Sequence, residues 1–233
     1  MNFIITHKQF DLPINKEKYT VLCPKGTTIE GWPEIIYFES QFDNKLWSEI
    51  AAMDWIARNA KCDWVTINHY RRIGEYPTNL IGYAKPTYFN CNLAQQYQAY
   101  HNIDDLSLCS NIIKQIYPNE YPIWLQTIQS NIFYPYNMVS FPMPIYCDYM
   151  SKMMTVLTNV AKTINIYNKE GMMARIKTIK TYTEDNKLRN TNVDYQARLF
   201  SFLAERISSW YINLLMLNNN VYPCEVFKYE GAW

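Results

Sequence analysis

The chain has 233 residues and a formal net charge of +1, because its 22 lysines and arginines nearly balance 21 aspartates and glutamates. That balance excludes nucleic-acid binding through bulk charge, so any anion site must be built from a local cluster of cations. A chain of this length can bury its core without disulfides or metals. We therefore predict one domain that spans residues 1–233.

The cysteines and the apolar segments indicate the compartment. The six cysteines form no Cys-x-x-Cys pair, and no histidine stands at metal-ligand spacing from them. The opening MNFIITHKQF turns polar too early for a secretory signal, and no window of about 20 residues is apolar enough to span a membrane. These features predict a reduced, cytoplasmic protein whose thiols are mostly buried.

The first half of the chain alternates strands with one helix. Residues 3–6 and 19–22 are apolar runs that stop at polar or turn-forming residues, which is typical of short strands. Apolar residues recur every three or four positions over 46–59, which predicts a helix, and residues 64–68 are predicted as the next strand.

The second half is richer in helices. The predicted elements are, in order, short helices at 112–117 and 124–128, a strand at 136–142, a helix at 145–164, a basic stretch at about 165–192 and a final helix at about 193–217. Strands that alternate with helices favour an α/β domain.

The strand predicted over 64–68 ends in a cluster of polar residues, His69, Tyr70, Arg71 and Arg72. If the helix over 46–59 returns antiparallel to this strand, Glu49 lies near the same end, because about ten helical residues span the length of about five strand residues. An arginine that Glu49 holds in place could bind a phosphate group of a ligand. The alternative is a structural Glu–Arg pair at a strand end.

The final helix also carries polar residues on two sides. Gln196 falls on its apolar stripe, so its amide must either bond a backbone group of the core or face a cleft. Asp194, Arg198, Ser201 and Glu205 fall on the opposite side. Spacing alone favours a solvated, salt-bridged face, and the alternative is a polar ligand site with a general base.

The segment YHNIDDL, residues 100–106, adds His101 and two adjacent carboxylates. Asp104 is a candidate base, and its alternative role is to cap the helix that follows.

Common nucleotide-binding motifs are missing. The chain contains no Asp-x-Asp sequence, no Gly-x-Gly-x-x-Gly loop and no P-loop. We assign no metal site, although Mg²⁺ or Mn²⁺ stays open as a cofactor. If a diphosphate binds, arginine, histidine and backbone donors would neutralise much of its charge.

A series of motifs in this order resembles a known family. SEIAAMDWIARN, CDWVTINHYRR, YHNIDDL and DYQARLFSFLAER, together with the opening FIITHKQFDLP, are similar to the motifs of the bacterial exopolysaccharide-biosynthesis family called domain of unknown function 4422. The most specific parts are His-Tyr-Arg-Arg and the last helix. All three histidines, His7, His69 and His101, fall in these segments.

The resemblance implies a glycosyltransferase with a GT-A-like α/β fold, in which helices flank a mixed central sheet. The donor would be a UDP-sugar and the acceptor a lipid-linked precursor of capsule, O-antigen or exopolysaccharide. Some relatives are assigned as galactofuranosyltransferases. The implied donor-binding residues are Thr6, His7, Lys8, Glu49, His69, Tyr70, Arg71, Arg72, His101, Gln196 and Arg198, and the candidate catalytic carboxylates are Asp104, Asp194 and Glu205.

The chain departs from the family pattern in several places. Ile50 and Ala51 follow Glu49 where the family has Leu-Thr, and Ser201 stands where a glycine is common. The basic stretch NKEGMMARIKTIKTYTEDNKLRN is longer than usual. Its Met172, Met173, Ile176 and Ile179 share one helical side, which predicts either peripheral contact with the cytoplasmic membrane face or an ordinary surface helix packed on the domain.

A second functional class remains open. The missing Asp-x-Asp sequence and the departures from the family pattern also suit a non-catalytic carbohydrate-binding or assembly subunit on the same fold. Nucleotide diphosphate binding that needs Arg71 or Arg72 would favour the transferase. No motif supports a nucleic-acid role.

Overall fold

A sheet of mostly parallel strands lies at the centre of the molecule. The computed structural model describes residues 1–179 and 192–229. The strands are β1 (Asn2–Ile5), β2 (Thr20–Pro24), β3 (Ile35–Phe38), β4 (Trp64–His69), β5 (Arg72–Gly74), β6 (Gly82–Ala84), β7 (Thr87–Tyr88), β8 (Ile132–Phe133), β9 (Val139–Pro142), β10 (Tyr222–Cys224) and β11 (Val226–Lys228).

The described helices pack against the face of this sheet that belongs to the large core, whereas strand and loop residues form the smaller core on the other face. The helices are α1 (Asn44–Trp47), α2 (Glu49–Asn59), α3 (Leu93–Gln98), α4 (Ile103–Ile116), α5 (Tyr121–Gln129), α6 (Met143–Ile164), α7 (Lys169–Thr178), α8 (Val193–Gln196) and α9 (Leu199–Asn218). The predicted α/β class, with a mixed central sheet flanked by helices, is confirmed.

The order and direction of the strands decide which strand ends lie next to one another. The main path runs β10-β6-β9-β4-β1-β2-β3, and β5 adds to β4 through the pair His69 and Arg72. Strands β4, β1, β2 and β3 are parallel to their neighbours, whereas β9 is antiparallel to β4. The carboxyl ends of four adjacent strands therefore meet at one edge.

The first strand shows why the parallel strands form here. Successive side chains point to opposite faces, so Phe3 and Ile5 enter the large core while Ile4 enters a smaller core on the other face. A strand buried on both faces reads as a continuous apolar run, which is the pattern of this segment.

The helix predicted over 46–59 is two helices. Ser48 lies between α1 and α2 with a φ of 52° and a ψ of −132°, a conformation that strongly favours glycine. Periodicity did not show this break because Leu46, Ile50 and Met53 are all buried. The break places the start of α2, and Glu49 with it, at the carboxyl edge of the sheet.

The prediction of a solvated, salt-bridged face on the final helix holds for Asp194, which is exposed and paired with Lys169, but is wrong for Ser201. A turn at Ala197 and Arg198 separates α8 from α9. In α9, Ser201 is 3% exposed and the neighbouring Arg206 is 2% exposed. Helices α2, α5 and α6 pack around α9, so Ser201 and Arg206 are enclosed by the protein.

The basic stretch before α8 is an ordinary packed helix where it is described. Met172 and Ile176 are buried in the large core. Arg175 makes a two-pronged ion pair with the buried carboxylate of Asp105, with Nη2 2.5 Å from Oδ1. Met172 and Ile176 thus pack in the domain, while Met173 and Ile179 are partly buried, and peripheral membrane contact of this stretch stays a prediction. Lys180 and the rest of 180–191 lie outside the described residues.

Helices of the described part of the chain are all too short or too polar to cross a bilayer. Each of the six cysteines has a free thiol, and Cys23, Cys109 and Cys224 are buried.

Candidate functional site

A cavity of about 440 Å³ opens at the carboxyl ends of β1 to β4. We call it the edge cavity. Ligands of open α/β sheets bind outside the carboxyl ends of the strands, so the position is the expected one. Among the residues singled out from the sequence, its lining contains Thr6, His7, Glu49, His69, Arg71, Asp194 and Arg198.

The end of β1 delivers Thr6 and His7. The Thr6 hydroxyl donates to the carbonyl of Lys8 over 2.7 Å and accepts from the Lys8 backbone N–H, which closes a tight turn. His7 is exposed in this turn. Partial burial, and after it the cations Lys8, Arg198 and Arg71, lower its pKa below 6.5.

The end of β4 delivers His69 and Arg71. Burial and the positive charge of Arg71 and Arg72 lower the pKa of His69 to about 3, so the imidazole is neutral near pH 7. Its Nδ1 accepts the backbone N–H of Arg71 over 3.2 Å. A neutral ring that accepts at Nδ1 carries its proton at Nε2, and His69 is therefore a hydrogen-bond donor to a ligand.

Glu49 begins α2 and lines the cavity, but its partners differ from the expected arginine. Its two carboxylate oxygens accept from the amide of Asn137 and the hydroxyl of Ser201, each over 3.0 Å. Both donors are neutral and buried. The predicted Glu–Arg pair is wrong for Glu49, since its described hydrogen-bond partners are the neutral Asn137 and Ser201.

Cations dominate the charged part of the lining. Lys45, Arg71, Lys169 and Arg198 face two carboxylates, Glu49 and Asp194, which leaves an excess of two positive charges. Lys169 pairs with Asp194 over 2.5 Å, and Arg198 donates from Nε to the Ser48 hydroxyl over 3.3 Å. Such a lining attracts a polyanion.

The lining also contains four apolar residues. Ile5, Pro24, Phe38 and Ala52 come from the ends of three strands and from α2. The cavity thus joins a patch suited to a planar ring with a patch suited to phosphates.

Lys45 and Lys169 were missed by the sequence reasoning. The carboxylate of Asp43 accepts both the Lys45 backbone N–H and the Lys169 backbone N–H over 2.8 Å, so it joins the start of α1 to the start of α7. Asp43 and Lys169 are separated by 126 positions, and no local pattern in the sequence signals their contact.

The structure does not bring His101 and Gln196 to the edge cavity. Both are almost fully buried, with His101 stacked 4.0 Å from the ring of Phe202 and 5.6 Å from that of Tyr195. The Gln196 amide donates to the Tyr100 carbonyl over 2.6 Å, and its oxygen lies 3.1 Å from His101 Nδ1. Of the two alternatives for Gln196, the bond to a core backbone group is confirmed. We call His101, Tyr195, Gln196 and Phe202 the His101 cluster.

Other predicted residues lie beside the cavity lining. Tyr70 is buried, and the cations of Lys8 and Arg71 lie 5.6 and 5.2 Å from its ring centre. Arg72 lies over the ring of Tyr136 at 4.2 Å. Tyr70 and Arg72 therefore contact neighbours of the cavity without lining it.

The three candidate carboxylates have different surroundings. Asp104 is exposed in the first turn of α4, and Asn102 rather than Asp104 holds the N-cap position. Asp194 is paired with Lys169. Glu205 accepts the backbone N–H of Tyr136 over 3.1 Å, and burial raises its pKa, which the nearby Glu49 reinforces.

No group of three or more histidine, cysteine or acidic side chains arranged for a metal occurs among residues 1–179 and 192–229. The cations of the edge cavity are thus the charge that the described chain itself offers to a diphosphate.

The fold is shared with a solved protein. Over 99% of its length the chain matches the apo structure of the bifunctional glycosyltransferase WbbM, with a TM-score of 0.71 and 17% sequence identity. The chain has the fold of a glycosyltransferase. It spans 45% of the WbbM chain, less than half of that protein.

A family model matches a shorter range of the chain. The model described as a domain of unknown function, DUF4422, matches residues 76–179. That range contains YHNIDDL but not the His-Tyr-Arg-Arg strand end or the final helix. Among curated proteins, none matches the chain.

Proposed function

We propose that the protein is a glycosyltransferase that binds a nucleotide-sugar donor in the edge cavity. One observation carries the proposal: a cavity with an apolar part and an excess of cations opens at the carboxyl edge of a glycosyltransferase fold. Its volume of about 440 Å³ is within the range of small-molecule sites.

The two parts of the lining suggest how the donor lies. The nucleobase, uracil for a UDP-sugar, would pack against Phe38, Pro24 and Ala52. The diphosphate would lie against Arg71, Arg198 and Lys169, whose N–H groups make charge-assisted hydrogen bonds to phosphate oxygens. His69 adds a neutral donor at Nε2.

Transfer breaks the bond between the anomeric carbon and the diphosphate oxygen and forms a bond to an acceptor hydroxyl oxygen. The hydroxyl proton passes to a carboxylate, and the leaving diphosphate retains the electron pair and gains negative charge. Fixed cations stabilise that charge as it develops. Mg²⁺ or Mn²⁺ would supply further Lewis-acid stabilisation at the same oxygens.

Glu205 is the candidate base whose pKa is raised. Burial is the main cause and the charge of Glu49 adds to it, whereas Arg206, whose Nη1 lies 3.4 Å from Glu205 Oε2, lowers the pKa. In this proposal Glu205 receives the proton of the acceptor hydroxyl. Of the three candidates, only Asp194 lines the cavity, where it is paired with Lys169, whereas Asp104 and Glu205 lie outside the lining.

The resemblance supports a finer proposal. The transferred sugar would be a hexose, with galactofuranose as the first candidate, and the acceptor a lipid-linked capsule, O-antigen or exopolysaccharide precursor at the cytoplasmic membrane face. This proposal rests on the family motifs and on WbbM being a bifunctional glycosyltransferase.

Calorimetry with UDP tests the donor site. Arg198→Ala and Arg71→Ala should each weaken UDP binding about 10- to 100-fold, because hydrogen bonds to charged groups contribute roughly 1.5–3 kcal/mol. Lys85→Ala is the matched control, since Lys85 is an exposed cation paired with Glu225 outside the cavity. Titrations with EDTA, Mg²⁺ and Mn²⁺ measure the contribution of a metal.

Two outcomes would contradict the proposal. The first is UDP binding that neither arginine variant changes. The second is oligosaccharide binding without any binding of nucleotide diphosphates, which would instead support the non-catalytic carbohydrate-binding subunit.

A further inference from the structure

A strained turn lies immediately before β9. Tyr136 has a φ of 73° and Asn137 a φ of 53°. Asparagine tolerates this left-handed region, but a tyrosine there is uncommon and costs conformational energy. The strand predicted over 136–142 starts three residues later than expected because of this turn. Strain of this kind persists where the surrounding structure enforces it, and it is concentrated at functional sites.

Three hydrogen bonds hold the turn. The Asn137 side chain donates to Glu49 over 3.0 Å and accepts from Ser208 over 2.6 Å. The backbone N–H of Tyr136 donates to Glu205. Asn137 is 1% exposed, so the two bonds of its side chain are largely shielded from water and fix the backbone beside Tyr136.

The fixed backbone presents an aromatic ring at the surface. Tyr136 is 38% exposed, although large apolar rings near it in the sequence, such as Tyr134, are buried. The guanidinium of Arg72 lies 4.2 Å from the centre of the Tyr136 ring. We call this pair the Tyr136 platform. The ring, the guanidinium and the adjacent carboxylate of Glu205 are the groups that bind a sugar, through its C–H face and its hydroxyls.

The platform borders the edge cavity through two residues. Glu49 lines the cavity and also holds Asn137. His69 lines the cavity and pairs in the sheet with Arg72. A sugar on the platform would therefore lie next to a donor in the cavity, and Glu205 of α9 would lie beside the strained turn.

We propose that the Tyr136 platform is the acceptor subsite and binds a hexose ring of the acceptor saccharide. This inference rests on the proposed transferase function. Tyr136 provides the stacking surface, Arg72 bonds two neighbouring hydroxyls, and Glu205 receives the proton of the hydroxyl that attacks. The strain of the turn is retained because it aims the ring at the cavity edge.

The test compares Tyr136→Asn with Tyr136→Phe. Asparagine suits the left-handed backbone, so Tyr136→Asn should melt at the wild-type temperature or above it. It should nevertheless lose at least tenfold in affinity for ligands that the wild-type protein binds on an array of hexopyranosyl and hexofuranosyl oligosaccharides. Tyr136→Phe keeps the ring and should stay within threefold of wild type. Tyr88→Asn is the control, because Tyr88 is 67% exposed on β7 and does not line the cavity.

Calorimetry with UDP on the same variants separates this proposal from the donor proposal. UDP affinity that stays within twofold in Tyr136→Asn, while saccharide affinity falls, supports the acceptor subsite. Equal saccharide binding by Tyr136→Asn and wild type would overturn it, and so would a wild-type protein that binds no saccharide of the array at millimolar concentration. Saccharide binding that depends on Tyr136 in a protein that binds no UDP would leave the platform standing and overturn the donor site.

Discussion

The edge cavity and the His101 cluster contain the same residue type in opposite roles. His69 and His101 both come from motif segments, and burial is the first cause that lowers the pKa of each to about 3. His69 lines a cavity among cations, whereas His101 is 3% exposed between the rings of Phe202 and Tyr195. The comparison teaches that a motif histidine with a shifted pKa serves either binding or packing, and that only its neighbours distinguish the two.

The sharpest test of this contrast is to remove each ring. His101→Ala should lower the free energy of unfolding by about 3 kcal/mol, because it leaves a cavity and an unpaired Gln196 oxygen. His69→Ala should lower it by only about 1 kcal/mol and weaken UDP binding about tenfold. Urea denaturation and calorimetry measure the two effects.

His101→Phe is the size-matched control for the cluster. It restores the stacked ring without the hydrogen bond, so it should recover more than half of the stability lost in His101→Ala. Equal losses of stability in the two alanine variants, with no difference in UDP binding, would show that the contrast between the regions is false.

The next effect is a dependence of stability on pH that both regions share. An unfolded histidine has a pKa near 6.5, so between pH 6.5 and 3 the unfolded chain binds protons that folded His69 and His101 do not. Stability should therefore fall as the pH falls, by roughly 2 kcal/mol for each histidine from pH 8 to pH 5. The raised pKa of Glu205 acts in the opposite direction.

Chemical denaturation at a series of pH values checks this prediction. His101→Phe should remove about half of the change between pH 8 and pH 5, while UDP binding through the already neutral His69 stays nearly constant over that range. If the stability of His101→Phe varies with pH as steeply as that of the wild type, groups other than His101 cause the pH dependence.

The smallest predicted effect concerns the strained backbone of Ser48, which lines the edge cavity. Ser48 has a φ of 52° and bonds Arg198, so Ser48→Gly should relieve the backbone and raise the free energy of unfolding by on the order of 1 kcal/mol. UDP affinity should fall a few-fold because Arg198 loses its anchor.

Ser107→Gly is the control for this substitution, since Ser107 lies in the regular helix α4 and its hydroxyl bonds Ile103. Glycine there should destabilise the protein by roughly 0.5–1 kcal/mol. A loss of stability of the same size in Ser48→Gly would mean that the Ser48 conformation carries no strain.

The sequence predicted the parts of the site that depend on local order. The carboxyl ends of parallel strands meet at one edge, so the apolar runs ending at Thr6 and His69 indicated neighbouring positions. The spacing of helix and strand also brought Glu49 to that edge. It did not indicate the Glu49 partners, because Asn137 and Ser201 lie 88 and 152 positions away along the chain.

The sequence by itself determined the α/β class, the strand segments β1, β2 and β4, and the concentration of cations after β4, because each follows from the periodicity and order of nearby residues. Tertiary structure alone decided that His101 and Gln196 are packed in the core, that Lys45 and Lys169 join the edge cavity, and that Tyr136 is held at its border. The physical reason is that burial and charge at these positions depend on contacts between distant helices, which no local pattern encodes.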